Sequence, residues 1–110
     1  MNPNHSRIKD KNTDFLFECI LELKDLDECY AFFEDLCTVP EMKSLAQRIV
    51  VAKMLTDKNV YKDIVSMTGA STATISRVNR SLRYGCDGYT DIFARLDEKK
   101  GSLIKRDSDG

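Results

Sequence analysis

Three arginines, Arg77, Arg80 and Arg83, recur at intervals of three, preceded by the small and hydroxylic residues Ser71-Thr72-Ala73-Thr74 and Ser76, with Lys62 farther upstream. Residues three apart are neighbours on a helix surface, so the arginines project within one broad arc. Such a helix suits duplex DNA. A small first turn, capped by Ser71 at a helix N-terminus that can meet phosphate, can enter a major groove, where Thr72, Ala73, Thr74 and Ser76 address base edges directly or through water, while Lys62, Arg77, Arg80 and Arg83 meet phosphates. The same residue types also make an ordinary solvated helix face, so what surrounds them decides between the readings.

Other chemistries find less support. The four cysteines stand at 19, 29, 37 and 86 without a C-x-x-C spacing, and the lone histidine is His5, so no zinc set forms. Cys19, Cys29 and Cys37 fall at apolar positions of helical patterns and read as small buried hydrophobes. No Ser/His/Asp or Cys/His set and no phosphate-cradling glycine loop is present, so the chain is expected to be no enzyme and to need no cofactor.

The elements around the arginines are two helices joined at a glycine. Ile64 and Val65 lie five and four residues before Gly69, and Ile75 and Val78 lie six and nine after it. This is the spacing by which a helix-turn-helix packs its two helices around a tight turn. Glycine takes positive φ there without steric penalty. The position four before the glycine often holds alanine, for close helix approach; here it is the bulkier Val65. The periodicity predicts a short helix over 60–67 and a longer one over 71–84, with Ser71 as its cap.

Helical periodicity runs through the rest of the chain, with no period-2 alternation. A first helix is expected over 13–23, with Phe15, Leu16, Cys19, Ile20 and Leu23 in one stripe. Asp25 caps a second, with Glu28 completing a capping box, and Leu26, Cys29, Tyr30, Phe33, Leu36 and Cys37 line its buried face. Thr38-Val39-Pro40-Glu41 starts a third, with Thr38 as cap, proline in the first turn and Glu41 as reciprocal partner. Its middle, Leu45 to Leu55, is apolar on nearly every side and must be surrounded. A chain of 110 residues offers too few helices for that, which points to an intertwined homodimer. A final helix carries Tyr89, Ile92, Phe93 and Leu96.

Charge is unevenly placed. The whole chain has a net charge of −1, yet residues 11–38 carry −6 and residues 59–84 carry +3. Basic charge gathered in the helix-turn-helix is the footprint of a nucleic-acid contact. The acidic first two helices would instead be the docking surface if the chain were a protein-interaction module. Apolar runs such as Cys29 to Phe33 and Ile49 to Ala52 are far below the ~18 residues of a membrane span, and residues 1–10 are too polar for a signal peptide. A cytoplasmic protein without membrane contact is expected.

Three stretches also resemble a known family. Thr38-Val39-Pro40-Glu41, Leu45-Ala46-Gln47-Arg48 and Gly69-Ala70-Ser71-Thr72-Ala73-Thr74-Ile75-Ser76-Arg77 are similar to the corresponding parts of the bacterial tryptophan repressor, over roughly residues 13–96. Ser76-Arg77-Val78-Asn79-Arg80-Ser81-Leu82-Arg83-Tyr84-Gly85, with Gly88-Tyr89 after it, resembles the YerC/YecD branch of that superfamily. The resemblance implies an all-α, six-helix intertwined homodimer with a reading head on each side of a shared core. It also implies an effector site: Thr38, Arg48 and Arg77 match residues that hold the corepressor in tryptophan-binding relatives, and Ser81 matches a ligand-contacting serine. Where those relatives have a glycine after the recognition-helix arginine, this chain has Val78, whose branched side chain takes space the indole ring needs. Tryptophan, another amino-acid-like or anionic effector between Arg48 and Arg77, and no effector at all, with Arg48 as an ion-pair partner, stay open.

The expected organisation is a flexible N-terminal arm over 1–12, a helical dimerisation core over 13–97 with the helix-turn-helix at 60–84, and a flexible C-terminal tail over 98–110. The expected function is a sequence-specific DNA-binding transcriptional regulator, a repressor, that binds a double-stranded operator as a dimer. The alternatives from other classes are the interaction module and a small helical-dimer enzyme acting on an anionic metabolite.

Overall fold

The computed structural model describes residues 6–109, with side chains to residue 100. Residues 1–5 of the expected arm, His5 among them, and residue 110 of the expected tail lie outside the described residues. The described chain is six helices without a strand: α1 (Lys11–Leu21), α2 (Leu26–Leu36), α3 (Val39–Thr56), α4 (Tyr61–Thr68), α5 (Thr72–Tyr84) and α6 (Gly88–Asp109). The all-α expectation holds. Two compact units divide it at Met42/Lys43, within the first turns of α3.

In the first unit the helix starts are set by side-chain caps. Asp10 accepts the Thr13 N–H at 2.7 Å, which starts α1 two residues earlier than the apolar stripe suggested. Asp25 accepts the Glu28 N–H, but Glu28 Oε1 reaches past the cap to the Lys24 N–H instead of closing the box on Asp25. At Thr38 both arms of the box form: Thr38 Oγ1 accepts the Glu41 N–H at 3.2 Å and Glu41 Oε1 accepts the Thr38 N–H at 2.8 Å. That backbone hydrogen bond from Thr38, with a second contribution from its side chain, holds the Glu41 carboxyl below its ordinary range. The apolar stripes are less covered than expected. Neither α1 nor α2 has a buried residue: of the expected stripes Phe15, Leu26, Tyr30 and Leu36 are exposed and the rest, Cys19, Cys29 and Cys37 included, only half-buried, and outside the stripes Phe17 and Leu21 are exposed as well.

The second unit holds the core. Val51 and Ala52 of α3, Ile64 of α4, Ala70 of the turn, Ile75 and Val78 of α5 and Phe93 of α6 are buried together, with Met54, Leu55, Leu82 and Tyr89 packed against them. Only one side of α3 is covered in this way. Ile49 and Val50, on its other sides, remain exposed, as does Leu45, two turns before Ala52 on the same side.

The end of α3 closes by a Schellman motif. The Lys58 N–H donates to the Leu55 carbonyl and the Asn59 N–H to that of Met54, both at 3.0 Å, with Lys58 in the left-handed region at φ 69° where glycine is usual. Lys53, one turn earlier, pairs with Asp57 at 3.1 Å and Asp97 at 3.6 Å and lies 5.6 Å from the centre of the Phe93 ring. The hydrogen bond to Asp57 raises its pKa above the ordinary lysine value. α6 continues past residue 97, where the expected core ended, because Glu98-Lys99-Lys100 are good helix formers with no break before them.

Candidate nucleic-acid interface

The site is built on Gly69. Its φ of 72° and ψ of 6° place it in the left-handed region, and its N–H donates to the Val65 carbonyl, ending α4. Thr68 stitches the turn. Its hydroxyl donates to the Ile64 carbonyl at 2.7 Å and accepts the Ala70 N–H at 3.1 Å. Ser71 then caps α5, its Oγ accepting the Thr74 N–H and donating to Thr74 Oγ1, each at 3.1 Å.

Burial sorts the two helices into faces. Ile64, Ile75 and Val78 are buried as the spacing around Gly69 predicted. Val65 departs from that pattern. It is 37% exposed, because Ile64 takes the inward position and the next residue on a helix lies about 100° round from it. Its bulk therefore does not crowd the approach of α4 to α5 within the chain.

On α5 the inward side is Ile75, Val78 and, in part, Asn79 and Leu82, and the outward side carries the predicted DNA residues. Thr72, Ala73, Ser76, Arg77, Arg80 and Arg83 are exposed, as are the cap Ser71 and, on α4, Lys62. Thr74 is half-buried with its oxygen already accepting from Ser71, which leaves its hydroxyl proton and one lone pair to offer. None of Lys62, Arg77, Arg80 and Arg83 is within ion-pair distance of a carboxylate among the described residues. Their charge is available to an outside anion.

Two residues of this region escaped the sequence reading. Tyr84 is 79% exposed in the last turn of α5, on the column of Ala73, Arg77 and Arg80, a row readable from the i, i+4, i+7, i+11 spacing. Gln47 donates from Nε2 to the Thr68 carbonyl at 3.2 Å, tying α3 to the end of α4. A polar side chain in the middle of an otherwise apolar helix was the available signal for it.

The residues matched to an effector site are placed singly. Thr38 lies in the first unit, exposed, with its hydroxyl engaged in the capping box. Arg48 lies in the second, and its Nε donates to the Ser44 carbonyl of its own helix at 3.4 Å. It makes no ion pair among the described residues. Arg77 and Ser81 are exposed one turn apart on α5, and Val78 between them is buried. Among the described residues no three of His, Cys, Asp or Glu are grouped to hold a metal, and all four cysteines are free thiols. No helix of the described residues is long and apolar enough to cross a membrane.

Six helices with a glycine turn leading into a capped, basic helix define an all-helical helix-turn-helix protein. The chain belongs to the Trp repressor family, whose model, described as Trp repressor protein, matches residues 11–97. It is 55% identical over 92 residues to YerC of Bacillus subtilis (strain 168), itself uncharacterized, covering 84% of this chain and 88% of that one. A crystal structure of a TrpR-like protein from Eubacterium eligens ATCC 27750 is 61% identical and matches with a TM-score of 0.79 over 81% of this chain and 92% of that chain. A candidate Trp repressor from Staphylococcus aureus, also a crystal structure, is 51% identical and matches with a TM-score of 0.79 over 82% and 90% of the two chains.

Proposed function

We propose that this protein is a sequence-specific DNA-binding transcriptional regulator, acting as a repressor, whose α4–turn–α5 segment reads a major groove. The observation that carries the reading is the division of α5. One side is locked into the core by Ile75 and Val78, while the opposite side offers Ser76, Arg77, Arg80 and Arg83 without carboxylate partners among the described residues. Membership of the Trp repressor family supports the same reading. Thr72, Ala73 and Ser76 address bases, and Lys62, Arg77, Arg80 and Arg83 address phosphates.

The working form is a homodimer. Exposed apolar side chains on α1 and α2, together with Leu45, Ile49 and Val50 of α3, are more than a lone soluble chain leaves open, and a second copy is the partner that would cover them. An amino acid or another anion that engages Arg48, Arg77 and Ser81 is the effector reading, supported by the anion-binding chemistry of the two guanidinium groups. Tryptophan itself fits poorly, since Val78 belongs to the core. A regulator of this kind works in the cytoplasm.

Selection of bound duplexes from a random pool, run with and without extracted cell metabolites, tests the proposal. A recovered consensus sequence is the expected result, and enrichment that depends on a metabolite fraction identifies the effector. Recovery of no enriched sequence under either condition refutes sequence-specific binding.

A further inference from the structure

Among the described residues, the hydrogen bond from Gln47 Nε2 to the Thr68 carbonyl is the one hydrogen bond that joins two helices. The other contacts between helices described in the second unit are apolar packing and those of Lys53, which pairs with Asp97 and lies over the Phe93 ring. Apolar burial is non-directional and leaves a helix free to rotate by small amounts, whereas a hydrogen bond fixes a direction. The carbonyl that Gln47 holds is also a particular one. Thr68 is the last residue of α4, where carbonyls have no partner inside the helix, and its hydroxyl binds both the Ile64 carbonyl and the Ala70 N–H. Gln47 thus grips the residue that organises the turn.

We infer that Gln47 is a positioning residue for DNA reading: it sets the angle of the α4–turn–α5 segment against α3, and so determines specificity without touching DNA. The inference rests on the proposed function. It predicts an effect on specific binding, which needs groove alignment, and little on non-specific binding, which needs only charge.

Two variants test it. Gln47→Leu keeps the bulk and removes the donor. Gln47→Glu keeps the shape but, as a carboxylate, can only accept, and it regains a donor when protonated. The readouts are the affinity ratio for selected over scrambled duplex at pH 7.5 and pH 5, and amide exchange at Gly69 and Ala70. For Gln47→Leu the ratio should fall roughly three- to tenfold, the size of one hydrogen bond, and exchange in the turn should quicken while helicity is kept. Gln47→Glu should lose at least as much at both pH values, because a glutamate of ordinary pKa is still mostly ionised at pH 5 and sets an acceptor against the Thr68 carbonyl. An unchanged ratio, or a loss accompanied by faster exchange throughout the buried core, overturns the inference. If the native chain selects no DNA, the functional reading fails by itself. Exchange in the turn still decides whether Gln47 orders it, with equal rates in native chain and Gln47→Leu overturning that role.

Discussion

Arg77 and Val78 are neighbours on α5, about 100° apart round the helix, with opposite fates: Arg77 is exposed and unpaired with any carboxylate among the described residues, and Val78 is 2% exposed with Ile64 and Ile75 in the core. The site for DNA charge and the plug of the interior are one residue apart. Truncating Val78 opens space beside Arg77 but removes a core side chain, so any ligand space gained there is coupled to the stability of the reading head.

That coupling predicts the response to tryptophan. Overpacking of a ring site by a branched side chain costs roughly 1 to 3 kcal/mol, about five- to more than a hundredfold in affinity. Calorimetry on the native chain should show no tryptophan heat at millimolar ligand, and Val78→Gly should gain some while melting at a lower temperature. Micromolar tryptophan binding by the native chain would refute the steric argument.

Lys58 and Gly69 share a left-handed backbone but differ in side chain. An L-residue there is strained by about 1 to 2 kcal/mol relative to glycine. Urea unfolding should therefore show Lys58→Gly stabilised and Gly69→Ala destabilised, each by about 1 kcal/mol, although a Cβ at Gly69 would meet nothing within 4 Å. Gly85→Ala should be worse than either, because its Cβ would collide with the Ser81 carbonyl oxygen that accepts the Gly85 N–H.

Acid should unfold the protein partly through its helix caps. Asp10 and Glu41 are held below the ordinary carboxylate range by backbone hydrogen bonds, from Thr13 and Thr38 respectively. Folding thus favours their charged forms, and this stabilisation is present above the ordinary carboxylate range and lost as pH falls through their depressed values. Urea midpoints measured from pH 7 to pH 3 should drop, and less steeply in Asp10→Asn and Glu41→Gln. Parallel profiles for native chain and variants would contradict the assignment.

Much of this was legible because its physics is local. The Thr38–Glu41 box is an i, i+3 signal, and Ile64, Ile75 and Val78 follow from counting around Gly69. What the sequence hid depends on distance or on backbone conformation. Gln47 bonds a carbonyl 21 residues away, and a carbonyl leaves no mark in residue type. Nothing about a lysine announces a left-handed Lys58. Val65 was misplaced because the spacing rule counts positions without saying which of two adjacent residues turns inward. The start of α1 was misplaced because a polar cap, Asp10, outweighed the apolar stripe.

The dimer predicts mass-action stability. If folding and association are one step, the melting temperature should rise with protein concentration across the micromolar range. A sedimenting monomer that keeps full helicity at low micromolar concentration would contradict it.

The central claim is that the outward side of α5 neutralises DNA phosphates, and the slope of log affinity against log salt measures this most directly. Each phosphate contact contributes about 0.9 to that slope, so Arg80→Ala and Arg83→Ala together should flatten it by about two units and weaken binding on every sequence. Ser76→Ala should instead shift sequence preference at an unchanged slope. A double arginine variant with the slope of the native chain would mean that these arginines are only solvated, and that α5 does not face DNA.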